Sequence, residues 1–197
     1  MVEKTIKPFS GLLQPGLLRV ADVICIHDNS GDFVSDGIEW FTAEPGQSMD
    51  EVPSHIEQIV DVREFLTIGA RLDGVKVHKL TEYFDDRFTL TVRRIIDLRP
   101  DQEEKIRQED YAMVSRKWEY GWTAYFGFAV FCLFHKIGWD VFSLPNPTKF
   151  KNFPVCSHVP DISSLLARKD CFPEIGAGSV TPNHWLRSPR LKTVIVV

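Results

Sequence analysis

Short β-rich segments separated by turn residues fill the first half of this chain, and helical patterns fill the second half. Asp73-Gly74, between two of the β-rich runs, is a strong signal for a two-residue hairpin turn. Gly37–Thr42 fits either a short helix or a strand. Strands followed by helices predict an α+β fold. The β-like runs lie at 21–27, 55–62, 65–70, 75–80 and 88–95.

The second half begins with Pro100 and three acidic residues, which are typical of the first turn of a helix. We expect that helix to reach about Lys117. Trp122 to Phe134 is apolar on every side, which predicts a central helix buried in the core. No linker, repeat or low-complexity tract interrupts the sequence, so we expect one domain over residues 1–197. The remaining expectations are a loop at 143–153, a helix from about Cys156 to Arg168 and a strand at 193–197.

The charge and cysteine content narrow the classes of function. The 197 residues carry a net charge of -4, which argues against electrostatic capture of nucleic acid. The longest uncharged apolar stretch, from Tyr120 to Phe134, is shorter than the roughly 20 residues of a membrane-spanning helix, and no secretory leader opens the sequence. The four cysteines show no C-x-x-C spacing. We therefore expect a reduced, cytoplasmic protein without a bound metal or cofactor.

Cys156 is the first candidate for chemistry. Ile162, Leu165 and Leu166 share one helical face, and Pro160 fits only within the first turn of that helix. Cys156 should therefore lie at or just before the helix start, where free backbone N–H groups and the helix dipole favour a thiolate. The alternative is a structural role, because free cysteine is among the most buried residue types.

A cysteine nucleophile needs an imidazole within hydrogen-bonding reach, and His55 is the best candidate. It begins a predicted strand directly after a turn that contains proline, and such positions often present chemistry to a cleft. His158 is two residues from Cys156, and side chains at that spacing diverge on a helix. His78 is expected to face solvent from its strand, and His27 and His135 to satisfy backbone groups.

Four segments in this order resemble the circularly permuted, NlpC-like (YiiX-type) branch of papain-fold cysteine hydrolases, and together they span most of the chain. In that branch the catalytic histidine precedes the cysteine. Ser54-His55-Ile56-Glu57 resembles the histidine signature, and Val155-Cys156-Ser157 resembles the nucleophile signature. The other two segments are an opening strand followed by an S-x-x-I-x-W-x-T stretch, at residues 18–42, and a T-P-x-x-L-x-R-S-P-like ending at residues 181–189.

The resemblance implies a permuted papain-like fold, in which an antiparallel sheet or partial barrel packs against helices, including a buried central helix and the nucleophile-bearing helix. It also implies a Cys156–His55 pair that hydrolyses a peptide, peptidoglycan-type or acyl-lipid substrate through a thioester. A peptidase or amidase is the leading interpretation. An acyltransferase or lipid esterase of the same fold, or a binding protein without catalysis, is the alternative.

Two positions depart from the family pattern. Gly69 stands where relatives carry an acidic or other polar residue that orients the histidine. Glu57 shares a strand face with His55 and could replace that residue, although it could equally face solvent. We expect a backbone carbonyl, a water or a polar side chain from elsewhere to contact the ring ahead of Glu57. Gly121 also lacks an expected acid, and the adjacent Tyr120 is either a phenol that polarises the substrate carbonyl or a core aromatic residue.

Overall fold

A computed structural model describes residues 14, 16–120, 130, 132–139, 154–176 and 179–197. Within these ranges the chain has the predicted α+β organisation, with one six-stranded antiparallel sheet. The strands are β1 (Val23–Asp28), β2 (His55–Asp61), β3 (Leu66–Arg71), β4 (Gly74–Lys79), β5 (Phe88–Ile95) and β6 (Leu191–Val196). Their order across the sheet is β4-β3-β2-β1-β5-β6. Each strand begins and ends within about two residues of a predicted run.

The described helices are α1 (Phe33–Thr42), α2 (Pro100–Ser115), α3 (His158–Leu166) and α4 (Pro182–Arg187), with 3-10 turns at Met49–Glu51 and Leu80–Tyr83. Asp32 caps α1 by accepting hydrogen bonds from two backbone amides of its first turn. Pro100 occupies the first turn of α2, as its sequence predicts. No helix in these described ranges is long and apolar enough to cross a membrane.

The β3–β4 hairpin places the site residues of β3 next to β2. Its turn lies one residue before the predicted Asp73-Gly74 pair, because Gly74 already belongs to β4. Gly74 has a φ of +104°, which favours glycine, and a Cβ there would lie 2.7 Å from the Trp118 carbonyl oxygen. Glycine therefore lets the chain that follows α2 approach the hairpin.

The sheet is covered by apolar side chains on both faces. One cluster includes Ile24, Ile59 and Leu90. Another joins Ile68 of β3 to Met113 of α2 and to Val159 of α3. This second cluster fixes α3 against the sheet and so sets the position of its first turn. Burial of this kind stabilises the fold by about 25 cal/mol for each Å² of apolar surface removed from water.

Three expectations are decided by the structure, need correction or fall outside the described residues. Gly37–Thr42, which fits a helix or a strand, belongs to α1. The helix expected at Trp122–Phe134 is described only at 130 and 132–134. There Cys132 is buried against Phe41 and Ile175, but Leu133 is 49% exposed and Phe134 37%. This end of the segment lies at the surface and is not buried on every side. The loop expected at 143–153 lies outside the described residues.

Candidate active site

Cys156 lies directly before α3, whose N-cap residue is Ser157. The last part of the chain holds this turn in place. The Ser157 hydroxyl donates to the Val180 carbonyl at 2.7 Å, and the Ser157 carbonyl accepts from the indole N–H of Trp185 at 3.0 Å. Trp185 is fully buried. The C-terminal segment singled out in the sequence therefore fixes the backbone next to the candidate nucleophile.

His55 is the first residue of β2, and its ring lies near the Cys156 side chain, whose interaction with the ring raises the His55 pKa. The preceding residue, Ser54, ties this strand end to β1 through a backbone hydrogen bond from its amide to the Ile26 carbonyl at 2.9 Å. The His55 side chain is 21% exposed, so one edge of the ring can be reached from solvent. The structure thus brings together the two residues that the sequence proposes as a catalytic pair, although they are far apart in the chain.

Glu57 also contacts the His55 ring. Its Oε1 atom lies 3.3 Å from Nε2 of His55, and its side chain is completely buried. The expectation that another group would contact the ring ahead of Glu57 is therefore wrong. The reason is local, since residues i and i+2 of a strand point to the same face and this carboxylate is held against the histidine by other donors.

Three further side chains donate hydrogen bonds to the Glu57 carboxylate. Arg71 donates to Oε1 through Nε at 3.1 Å and through Nη2 at 2.9 Å. The Tyr83 hydroxyl donates to the same oxygen at 2.7 Å, and the Thr67 hydroxyl donates to Oε2. A buried carboxylate is stable only when it is paired and hydrogen-bonded, and these donors meet that requirement.

Gly69 lies beside Glu57 on the neighbouring strand, and the absence of its side chain creates the space that Glu57 occupies. A Cβ at Gly69 would lie 2.8 Å from Cγ of Glu57 and 3.2 Å from the Ile56 carbonyl oxygen. The first distance is shorter than normal carbon–carbon contacts. Glu57 thus reaches His55 from β2, over a position of β3 that carries no side chain.

The charges of this cluster shift the pKa values of both titrating partners. Burial raises the pKa of Glu57, but His55, Arg71 and Thr67 outweigh it and lower the pKa to about 2. Burial lowers the pKa of His55, but its contacts with Cys156 and Glu57 outweigh it and raise the pKa to about 9. At neutral pH Glu57 is therefore ionised and the His55 ring is favoured in its protonated form.

The other three cysteines lack such an environment. Burial raises the pKa of each of these thiols to about 12, and nearby charges counteract burial only in part. They are consequently neutral thiols at physiological pH and poor nucleophiles. These residues are Cys25, Cys132 and Cys171, all of them buried and free.

A second buried acid–base pair lies next to the Cys156–His55 pair. Nδ1 of His27 is 2.8 Å from Oε1 of Glu39 and 2.9 Å from the Val52 carbonyl oxygen. Burial raises the pKa of Glu39 to about 7 although His27 opposes the shift. Ser54, the residue before His55, also lowers the pKa of Glu39, so the two side chains lie close together. This pair therefore supports the turn that presents His55.

The remaining histidines lie in positions that differ in part from those expected. His78 is half-buried on β4 opposite Thr67, and burial lowers its pKa, so the expectation that it faces solvent is incorrect. Its Nε2 atom is buried. His135 pairs with Glu44 at 3.1 Å. His158 is buried in the first turn of α3.

Tyr120 lines a cavity together with His55 and also packs against the cluster of β3, α2 and α3. Both of its sequence interpretations are therefore compatible with its position. Its neighbours Gly121 and Trp122 lie outside the described residues.

Sequence reasoning missed the three donors that fix Glu57. A signal for two of them was present, because Thr67 and Arg71 flank Gly69 at a spacing of two and share its strand face. No local signal points to Tyr83, which reaches Glu57 from a 3-10 turn.

Within the described ranges, no group of three or more histidine, cysteine and acidic side chains is placed to hold a metal ion. No family model matches the chain, and no curated protein or solved structure is significantly similar to it.

Proposed function

We propose that this protein is a cysteine hydrolase that acts on an amide or ester carbonyl, with Cys156 as nucleophile and His55 as general base and acid. One observation carries the proposal, namely a histidine ring that interacts with both a cysteine and a buried, ionised carboxylate. A weak nucleophile becomes reactive when a base lies within hydrogen-bonding reach and a third group orients that base. Glu57 has the position required of the third group.

The first half-reaction forms the acyl-enzyme. Since Glu57 engages Nε2, we assign the Nδ1 side of His55 to Cys156, and the proton of the pair rests on the imidazole ring when Cys156 attacks as a thiolate. The thiolate sulfur forms a bond to the carbonyl carbon, and the C=O π electrons move to the oxygen. When this tetrahedral species collapses, the bond to the leaving nitrogen or oxygen breaks. The departing atom keeps the electron pair and takes the proton from the His55 imidazolium, which leaves a thioester.

The second half-reaction consumes one water. His55 removes a proton from the water as its oxygen bonds to the thioester carbon. The Cys156 sulfur then departs with the electron pair of the broken bond, and His55 keeps the proton, which restores the starting pair. Backbone N–H groups at the start of α3 are well placed to stabilise the oxyanion in both steps. The amide of His158 already donates to the Val155 carbonyl at 3.0 Å, which makes the amides of Cys156 and Ser157 the candidates.

The proposal includes the fold and the setting implied by the resemblance. We assign the chain to a permuted papain-like fold of the NlpC-like (YiiX-type) kind, and its substrate to peptide, peptidoglycan-type or acyl-lipid compounds. The order histidine before cysteine, the antiparallel sheet and the helix that follows Cys156 support this assignment. A reducing, cytoplasmic location fits the proposal because the four free cysteines, and the nucleophile above all, must stay reduced.

Active-site titration with p-nitrophenyl acetate tests the proposal. We expect a burst of p-nitrophenolate stoichiometric with protein, and mass spectrometry should locate one acetyl group on Cys156. Cys156→Ala and His55→Ala should abolish the burst, whereas the matched control Cys25→Ala should retain it. Acetylation spread over all cysteines, or a burst that survives in Cys156→Ala, would leave a non-catalytic protein as the better interpretation.

A further inference from the structure

A cavity of about 290 Å³ opens beside His55. Helix α1 forms one wall, the start of β2 and the end of β3 form the floor, and Tyr83 and Tyr120 close the sides. At the rim Val34 is 47% exposed and Leu72 is 61% exposed, so the cavity is open to solvent. Its volume is slightly below the roughly 300–1,000 Å³ of sites that bind drug-sized ligands. The cavity therefore suits a group about the size of one amino-acid residue.

The cavity lies on the histidine side of the candidate pair. His55 lines it, whereas Cys156, which interacts with the same ring, is not among the described residues that form its walls. This difference between the two residues matters because they act on different atoms of the substrate. The acyl carbon of a substrate must bond to the Cys156 sulfur, but the leaving atom must lie against the ring that gives it a proton.

We propose that this cavity binds the leaving group of the substrate, and that it selects an uncharged apolar or aromatic amine or alcohol of about one residue in size. The inference rests on the proposed hydrolase function. In the step concerned, the bond from the acyl carbon to the leaving nitrogen or oxygen breaks. Its electron pair stays with the leaving atom, and the proton of the His55 imidazolium moves to that atom inside the cavity.

The lining argues for an apolar group. Val34, Ile38, Ala70 and Leu72 supply aliphatic surface, and the two tyrosine rings supply aromatic surface. Ser35 and Ser54 contribute small polar patches. Burial of a residue-sized apolar group against such surface is favourable by about 25 cal/mol for each Å² removed from water.

Arg71 and the protonated His55 ring are the cationic side chains in the described walls, and both are already paired. The Arg71 guanidinium donates to Glu57 at 2.9 Å, to Glu82 at 2.8 Å and to the Tyr83 hydroxyl at 2.9 Å. The His55 ring contacts Glu57 as well. Two carboxylates therefore balance these two cations. An anionic leaving group would gain little from cations that are already paired, which is why the cavity favours an uncharged group.

The test compares acetyl esters that share one acyl group but differ in the leaving group. One ester releases a neutral naphthol, and the other releases a carboxylated naphthol. The wild-type protein should be acylated faster by the neutral ester. Ile38→Trp, which fills the cavity, should reduce acylation by the naphthyl ester by about tenfold or more, the range expected when a group is excluded from an apolar pocket.

Two measurements distinguish a loss of leaving-group binding from a general loss of reactivity in the variants. Deacylation by water and alkylation of Cys156 by iodoacetamide place no bulky leaving group in the cavity, so Ile38→Trp should leave both rates nearly unchanged. Leu72→Asp adds a charge at the exposed rim without disturbing the core and should also slow the naphthyl ester. The matched control is Leu166→Asp, at an exposed position of α3 outside the cavity, which should have no effect.

The inference is overturned if Ile38→Trp and Leu72→Asp leave acylation by both esters unchanged, or if the carboxylated ester reacts as fast as the neutral one. Equal slowing of acylation, deacylation and alkylation would also overturn it, because the cavity would then have only a structural role. Absence of any acyl-enzyme in the wild-type protein is a different result. It would refute the proposed hydrolase function itself, and the subsite with it.

Discussion

Replacement of Glu57 by glutamine removes one charge from the site and keeps the shape of the side chain. In the folded protein every polar group around this carboxylate is a donor or the ring of His55. A glutamine can keep its oxygen towards Arg71 and Tyr83 and turn its NH₂ group towards the Thr67 hydroxyl, which can rotate to accept. The variant therefore loses the charge of the carboxylate, and with it the charge-assisted contacts to His55 and Arg71.

The size of the effect follows from the pKa of Glu57, which is lowered from an ordinary value of 4.5 to about 2. One pKa unit corresponds to about 1.36 kcal/mol, so the carboxylate contributes on the order of 3 kcal/mol to the free energy of unfolding. Because the folded-state pKa is the lower one, this contribution is fully present above pH 4.5. It is lost as the pH falls through about 2.

His55 titrates with the opposite sign. Its pKa is raised from 6.5 to about 9, so its contribution to stability is present below pH 6.5 and is lost as the pH rises through about 9. Part of this contribution is the same contact with Glu57 and cannot be added to the first. The glutamine variant should therefore lose stability at pH 7 and also show a weaker loss at alkaline pH.

Urea unfolding monitored by tryptophan fluorescence, from pH 3 to pH 10, measures both effects. We expect Glu57→Gln to be less stable by about 3 kcal/mol at pH 7, with the difference shrinking as the pH approaches 3. Glu82→Gln is the matched control, since Glu82 binds the same Arg71 but is 48% exposed. Its effect should stay below about 1 kcal/mol. Equal stability of Glu57→Gln and wild type at pH 7 would refute the assignment of Glu57 as a buried, ionised partner of His55.

Three further outcomes are expected. Iodoacetamide at pH 7 should alkylate Cys156 faster than the other three cysteines, and His55→Ala should remove this advantage whereas His158→Ala should not; peptide mass mapping measures the rates. Gly69→Ala should lower the free energy of unfolding by about 1–3 kcal/mol, because its Cβ would overlap Glu57, and should slow alkylation of Cys156. Trp185→Phe should cost about 1–3 kcal/mol by leaving the buried Ser157 carbonyl without its indole donor, as urea unfolding would record.

Each of these three predictions can be contradicted by a specific result. Equal, slow alkylation of all four cysteines would remove the physical support for a nucleophile, and a larger effect of His158→Ala than of His55→Ala would identify a different base. An unchanged stability of Gly69→Ala would mean that Glu57 does not lie over this glycine. Normal stability of Trp185→Phe would mean that the indole hydrogen bond does not fix the turn beside Cys156.

Much of the fold could be predicted because its signals are local. Alternation and turn residues mark the strands, and Pro100 with its acidic neighbours marks the start of α2. The position of Cys156 before α3 also follows from a local pattern. Pro160 fits only within the first turn of this helix, and Ile162, Leu165 and Leu166 follow it at helical spacing. The structure bears out these elements to within about two residues.

The arrangement around the histidine could be predicted only in part, because it depends on strand pairing. The spacing of His55 and Glu57 shows that they share a face, but not that a neighbouring strand offers an empty position for the carboxylate. That space exists only because Gly69 lies beside Glu57 on β3. Tyr83 reaches the same carboxylate after a hairpin and a 3-10 turn, and no short-range pattern contains that information.

The structure therefore changes what Gly69 implies about catalysis, compared with the motif alone. In the sequence it counts against catalysis, because the orienting acid of the family pattern is missing there. In the fold it is the position that admits the Glu57 side chain from β2, and Thr67 and Arg71 on either side of it donate to that carboxylate. The two donors on either side of this glycine thus bind the carboxylate that contacts the histidine. The same residue that favours a non-catalytic protein in the sequence therefore favours an oriented Cys156–His55–Glu57 site once its neighbours are known.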